Sequence, residues 1–184
     1  KLTLKGLKGG HSGADIHLGL GNANKLLARF LFEHATDLDL RVLDLNGGTL
    51  RNAIPREGSV ILAVGADKVD QLKSLSQAYL ATLKNELAAV EKNLALLLEP
   101  VSTDVKALTK DTQQRLVALL NATPNGVIRM SDAVKGVVET SLNVGVVTMN
   151  ENEAEIICLI RALIDSGKDY VVSMLTAIGQ LAGA

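Results

Sequence analysis

Leu2, Leu4 and Leu7 alternate with polar or small residues at the start of the chain, which predicts a strand over residues 1–7. The period then changes. Ala23, Leu26, Leu27, Phe30, Leu31 and His34 recur at the 3-1-3-1-3 spacing of one helix face, with Asn22 placed to cap it. Leu38, Leu40 and Val42 alternate again, but Leu43 and Leu45 slip out of phase. That slip predicts a strand with a bulge, or one covered on both faces. Val60 to Ala66 is apolar on both faces and reads as a buried strand, with residues 47–58 as a long, ordered hairpin loop before it. Val69, Leu72, Leu75, Tyr79, Leu83, Leu87 and Val90 mark a helix of about six turns. Leu94 to Leu98 returns as a strand and Pro100 stops it. The order is βαββαβ, a ferredoxin-like antiparallel sheet with helices on one face.

The remainder is less regular. Residues 104–121 read as a helix, Pro124-Asn-Gly126 as a turn and Val127 to Met130 as a short strand. Leu142–Met149 and Glu155–Leu163 read as a hairpin around Asn150-Glu-Asn152. Tyr170, Val171, Met174, Leu175, Ile178 and Leu181 mark a last helix. The hairpin and helix of 139–182 echo those of 38–90. The expectation is one domain over 1–184, built from an imperfect duplication with half-repeats at about 1–100 and 101–184.

Composition narrows the class. Of 184 residues, 47% are hydrophobic, yet there are two Phe, two Tyr and no Trp, so the core must be aliphatic. Lys and Arg (19) nearly balance Asp and Glu (20), which leaves no basic footprint for nucleic acid. No apolar run reaches the roughly 20 residues of a membrane span, and no signal peptide is visible. Cys158 is the only cysteine, so no disulfide forms within the chain and a reducing, cytoplasmic setting is expected. The chain opens on Lys1-Leu-Thr3, inside a strand pattern, and ends Leu181-Ala-Gly-Ala184. Both ends read as cut from a longer polypeptide.

Three places carry candidate chemistry. Gly9-Gly-His-Ser-Gly13 puts His11 on a glycine hinge just past a strand end, where the ring is open to a ligand. Asn52 lies in Gly47-Gly-Thr-Leu-Arg-Asn-Ala-Ile-Pro55, and Pro55 restricts Ile54 to an extended form. Arg161 ends the apolar run Ile156-Ile-Cys-Leu-Ile160 and needs a partner: a ligand carboxylate, or an internal acid such as Asp165 or Glu155. Arg51 and Arg129 are weaker candidates. His17 and His34 read as solvated or structural. No H-x-D, H-E-x-x-H or CxxC pattern occurs, so no metal ligand is assigned in this chain.

In that order, His11, Asn52-Ala-Ile-Pro55 and Arg161 resemble the lid, or dimerisation, domain of the di-zinc metallopeptidases that include carboxypeptidase G, peptidase T and carnosinase. The runs Leu50-Arg-Asn-Ala-Ile-Pro-Arg56 and Glu139-Thr-Ser-Leu-Asn-Val-Gly-Val146 resemble the longer lids of the bacterial aminoacyl-histidine (Xaa-His) dipeptidases. The resemblance spans essentially the whole chain. It implies a lid that closes over a di-zinc site in a separate catalytic domain, supports homodimer formation and helps hydrolyse carnosine-like dipeptides. Within it, His11 would reach the substrate carbonyl, in cis or from a partner subunit. Asn52 would donate to the substrate, and Arg161 would hold its terminal carboxylate. The cofactor, zinc or alternatively cobalt or manganese, would belong to the full enzyme. The isolated chain should be inactive. One departure stands out: the family has Asp two residues before this arginine, and here that position is Leu159. The competing reading is a free-standing ferredoxin-like module for ligand binding or association.

Overall fold

Leu2 and Leu4 point inward from strand β1 (Leu2–Lys5) and are fully buried, as their alternation predicts. In a computed structural model, which describes residues 1–150 and 152–184, β1 runs into a short strand β2 (Gly10–His11). A single 3-10 turn at Ile16–Leu18 follows, then helix α1 (Ala23–His34). Asn22 caps α1 by accepting from the backbone N–H groups of Asn24 and Lys25, which satisfies donors the first turn leaves free. Next come β3 (Arg41–Gly47), β4 (Ala53–Ile54), β5 (Gly58–Ala63), α2 (Val69–Glu86) and β6 (Ala95–Leu98).

The strands β6-β1-β5-β3 lie side by side, all antiparallel, so the fourth, first, third and second long strands of a βαββαβ chain stand in ferredoxin-like order. The phase slip at Leu43 is a bulge: Val42 faces Leu62, but Asp44 already faces Ile61.

The second half extends the same sheet. It comprises α3 (Lys110–Ala122), β7 (Gly126–Met130), β8 (Val138–Met149), β9 (Ala154–Ala162) and α4 (Asp165–Ala182). Strand β9 pairs along one edge of β8, while β7 and β3 share the other, the latter through Gly47↔Val147. Helices α1 and α3 pack together, as do α3 and α4. The architecture is a mixed α/β fold with one antiparallel sheet and four helices. Elements α3-β8-β9-α4 repeat the order α1-β3-β5-α2. Among the described residues, no strand stands outside β9 as β1 stands outside β5.

Some boundaries differ from the expected ones. Helix α2 ends at Glu86 rather than near residue 90. Helix α3 starts at Lys110, not 104, because Thr109 is its N-cap and Leu108 is held by the carbonyl of Val42. Strand β8 begins at Val138, four residues sooner than its apolar run suggests, and α4 at Asp165. The turn expected at 150–152 includes Glu151, which lies outside the described residues.

The core is aliphatic around one aromatic pair: Phe30 is fully buried with its centroid 5.3 Å from Tyr79, and His34 packs edge-on at 4.9 Å. His34 is therefore structural, as expected. The two halves meet at Lys25. Its ammonium donates to the carbonyls of Leu120, Asn121 and Thr123 at the end of α3, a helix with no basic residue in its own last turn. Burial pushes Lys25 down to about 8, and the nearby Cys158 opposes that shift.

Candidate functional site

His11 does not sit on a free hinge. Strands β2 and β4 form a two-stranded ribbon in which Gly10 faces Ile54 and His11 faces Ala53. The backbone N–H of His11 donates to Asp15 Oδ2 at 2.8 Å. Its ring is held too: Nδ1 accepts from the N–H groups of Gly13 (3.1 Å) and Ala14 (3.3 Å). A neutral imidazole that accepts at Nδ1 carries its hydrogen at Nε2, and the side chain is exposed. The rotatable donor expected from the glycines is instead a pre-oriented one, because the loop's own amides fix the ring.

Arg161 comes to the same place from the far end of β9. A Cβ built on Gly13 would lie 2.9 Å from both Nε and Cζ of Arg161, and 3.0 Å from Cε1 of His11. Both groups therefore lie against the bare face of Gly13, and a side chain there would push the guanidinium aside. They line one open cleft of about 560 Å³ with His17, Ser141 and Glu139. Neither internal acid partners the arginine. Asp165 pairs with Lys168 at 3.3 Å, and Glu155 lies across from Thr148. Among the described residues, Arg161 has no ion pair or side-chain hydrogen bond. Arg129 is committed, to Asp132 and, at 3.5 Å, to Glu139.

Asn52 stands beside the cleft rather than in its lining. Its carbonyl accepts from Ser12 N–H at 2.9 Å, which links its turn to the residue after His11, and its side chain is exposed. A larger cleft of about 690 Å³ lies along residues 46–50 and 53–59 and contains none of the three candidate residues.

The sequence reading passed over the polar residues of β8. Glu139, Thr140, Ser141 and Asn143 are all buried. The half-buried Val138 separates the first three from the exposed segment 132–137, and Ser141 is the cross-strand neighbour of Arg161. The signal was present as four polar residues at the head of a strand whose later part, apart from Thr148, is apolar. No group of three or more His, Cys, Asp or Glu among the described residues could hold a metal ion. The described residues therefore do not fit a zinc site. Cys158 is free, and burial pushes its thiol up. No helix is long and apolar enough to cross a membrane among the described residues.

Residues 2–91 match the family model of the peptidase dimerisation domain. Over all 184 residues the chain is 70% identical to the cytosol non-specific dipeptidase of Escherichia coli (strain K12), of which it covers 38%. The crystal structure of the aminoacylhistidine dipeptidase from Vibrio alginolyticus superposes with a TM-score of 0.98 over 99% of the chain, at 56% identity, and the chain covers 37% of it. The chain thus spans less than two-fifths of the relatives it matches. It belongs to the peptidase dimerisation-domain family, in the form carried by relatives that are themselves dipeptidases.

Proposed function

We propose that this chain is a single lid and dimerisation domain of a cytoplasmic, zinc-dependent dipeptidase that hydrolyses Xaa-His dipeptides such as carnosine. The observation that carries the reading is the meeting of His11 and Arg161 at Gly13, with one oriented donor and one unpaired guanidinium in a single cleft. A dipeptide has two features such a pair can read. Its terminal carboxylate suits the planar fork of Arg161. Its scissile carbonyl gains negative charge as the peptide bond is attacked, and a fixed N–H from His11 Nε2 stabilises that charge without reorganising. Asn52 adds an amide donor beside them. The zinc, with cobalt or manganese as alternatives, would be held by a catalytic domain outside this chain and would polarise the carbonyl when bound. Ferredoxin-like sheets also serve as free-standing ligand modules, but the 70% identity to a dipeptidase along the whole chain favours the lid.

The partner fits as a second copy. The outer edge of β9 is unpaired, and beside it Leu163, Ile164, Tyr170, Val172 and Leu181 are exposed. Between Glu155 and Arg161 that edge is apolar from Ile156 to Ile160, and an unpaired edge of this kind invites pairing.

The test places this chain in the E. coli dipeptidase in place of the aligned segment and compares free-acid with C-terminally amidated dipeptides. Arg161→Lys is expected to weaken use of the free acid clearly and Arg161→Met further. The amidated substrate, poor from the start, should lose little more. Equal losses on both substrates would show that Arg161 does not bind the carboxylate.

A further inference from the structure

Asn143 lies in the middle of β8 and is 1% exposed, yet nothing in the proposed chemistry uses it. Its side-chain amide donates to Arg51 O at 3.0 Å and to Ala53 O at 2.8 Å. These two carbonyls flank Asn52. Its Oδ1 accepts from Asn22 Nδ2 at 3.4 Å, and Asn22 in turn reaches Asn125 Oδ1 and Val144 O while capping α1. One planar amide therefore spans the residue that presents the exposed Asn52 side chain, and a second asparagine orients that amide.

The strand is shaped for this grip. A bulge places Gly145 between Val144 and Val146, so that Val144 faces Cys158 and Val146 faces Ile157. A Cβ at Gly145 would come within 2.7 Å of both Cα and O of Arg51. The backbone of β8 thus runs in direct contact with the 51–53 turn. That turn also fixes His11: Ala53 is its ribbon partner, and Asn52 O takes the N–H of Ser12.

We infer that Asn143 is a positioning residue for the substrate site. It holds Asn52, and through the β2–β4 ribbon His11, in register with Arg161 on the neighbouring strand. The inference rests on the lid reading above. Acceptors with a buried polar partner removed are costly, and a small displacement of aligned groups lowers turnover steeply.

The experiment uses the same chimera with the E. coli dipeptidase. Asn143→Asp keeps the size and removes the two-hydrogen donor, and Asn143→Ser is a second variant should the first fold poorly. Each is expected to lower kcat/KM by about 10- to 100-fold, mostly through kcat, with the thermal midpoint measured alongside. Each is then repeated in an Asn52→Ala background. Because part of the effect of Asn143 runs through the Asn52 side chain, the second loss should be clearly smaller than the first, the remainder acting through His11. Equal losses in both backgrounds, or normal kcat in folded variants, would overturn the inference. Hydrogen exchange of peptides covering residues 10–14 and 50–54 supplies a readout independent of activity. It should accelerate in both variants, and unchanged protection would also overturn the proposal. An inactive wild-type chimera would defeat the lid reading alone, and exchange would still decide the role of Asn143.

Discussion

Helices α2 and α4 occupy corresponding places in the two halves and are each 18 residues long, yet they are buried very differently. Helix α2 sinks Leu72, Ser76, Tyr79 and Leu83, and the Tyr79 hydroxyl donates to Leu26 O on α1. Helix α4 buries Val171 alone. The strands repeat the contrast, since β5 is paired on both edges and β9 on one. The first half is covered on one side by α3 and β8, whose Leu116, Val117, Leu120, Val144 and Val147 complete its core. The second is completed on one side by the first half and is left open on the other. Repeating an order of elements does not repeat their burial, because burial depends on what lies beyond each element.

The largest effect that could break this contrast comes from the same substitution made in both helices. Leu83 is fully buried and Leu181 is 89% exposed. Leu83→Ala should cost about 2–5 kcal/mol in urea unfolding of the chain. Leu181→Ala should stay within about 0.5 kcal/mol. Similar costs would mean that α4 is packed as tightly as α2. Next in size is His11→Ala in the chimera. Losing an oriented donor to the developing charge should lower turnover on the order of 100-fold, with little change in thermal midpoint because the side chain is exposed. A variant with full turnover, or one that unfolds, would contradict the role. The smallest change in stability, and the sharpest test of the open side, is Tyr170→Glu combined with Leu181→Glu. It should leave the monomer folded while sedimentation shows the chimera losing its dimer. A dimer that survives both charges would place the interface elsewhere.

How much of this was readable in the residues depended on where polar atoms go. The first half obeys period and cap: Asn22 lies just before a 3.6-residue pattern, and the phase slip at Leu43 became a bulge. Strand β8 was legible only from Leu142 onward, because Glu139, Thr140 and Ser141 look like solvent-facing loop and are buried. What covers them, β7 on one edge and β9 on the other, comes from elsewhere in the chain, which no local pattern encodes. His11, Asn52 and Arg161 were legible as a family motif. Two of their settings were not. The ring of His11 is fixed by amides two and three residues on, and Arg161 meets it against the bare face of Gly13. The shift of the α3 start from 104 to 110 has a similar cause. Val101 and Val105 have helical spacing but remain exposed, so nothing rewards winding that stretch.

Lys25 makes the end of α3 depend on α1. The last carbonyls of α3 are met by an ammonium carried 95 or more residues earlier in the chain, where water would otherwise serve them. A change at position 25 would therefore be felt far from it in sequence, as fraying at the end of another helix.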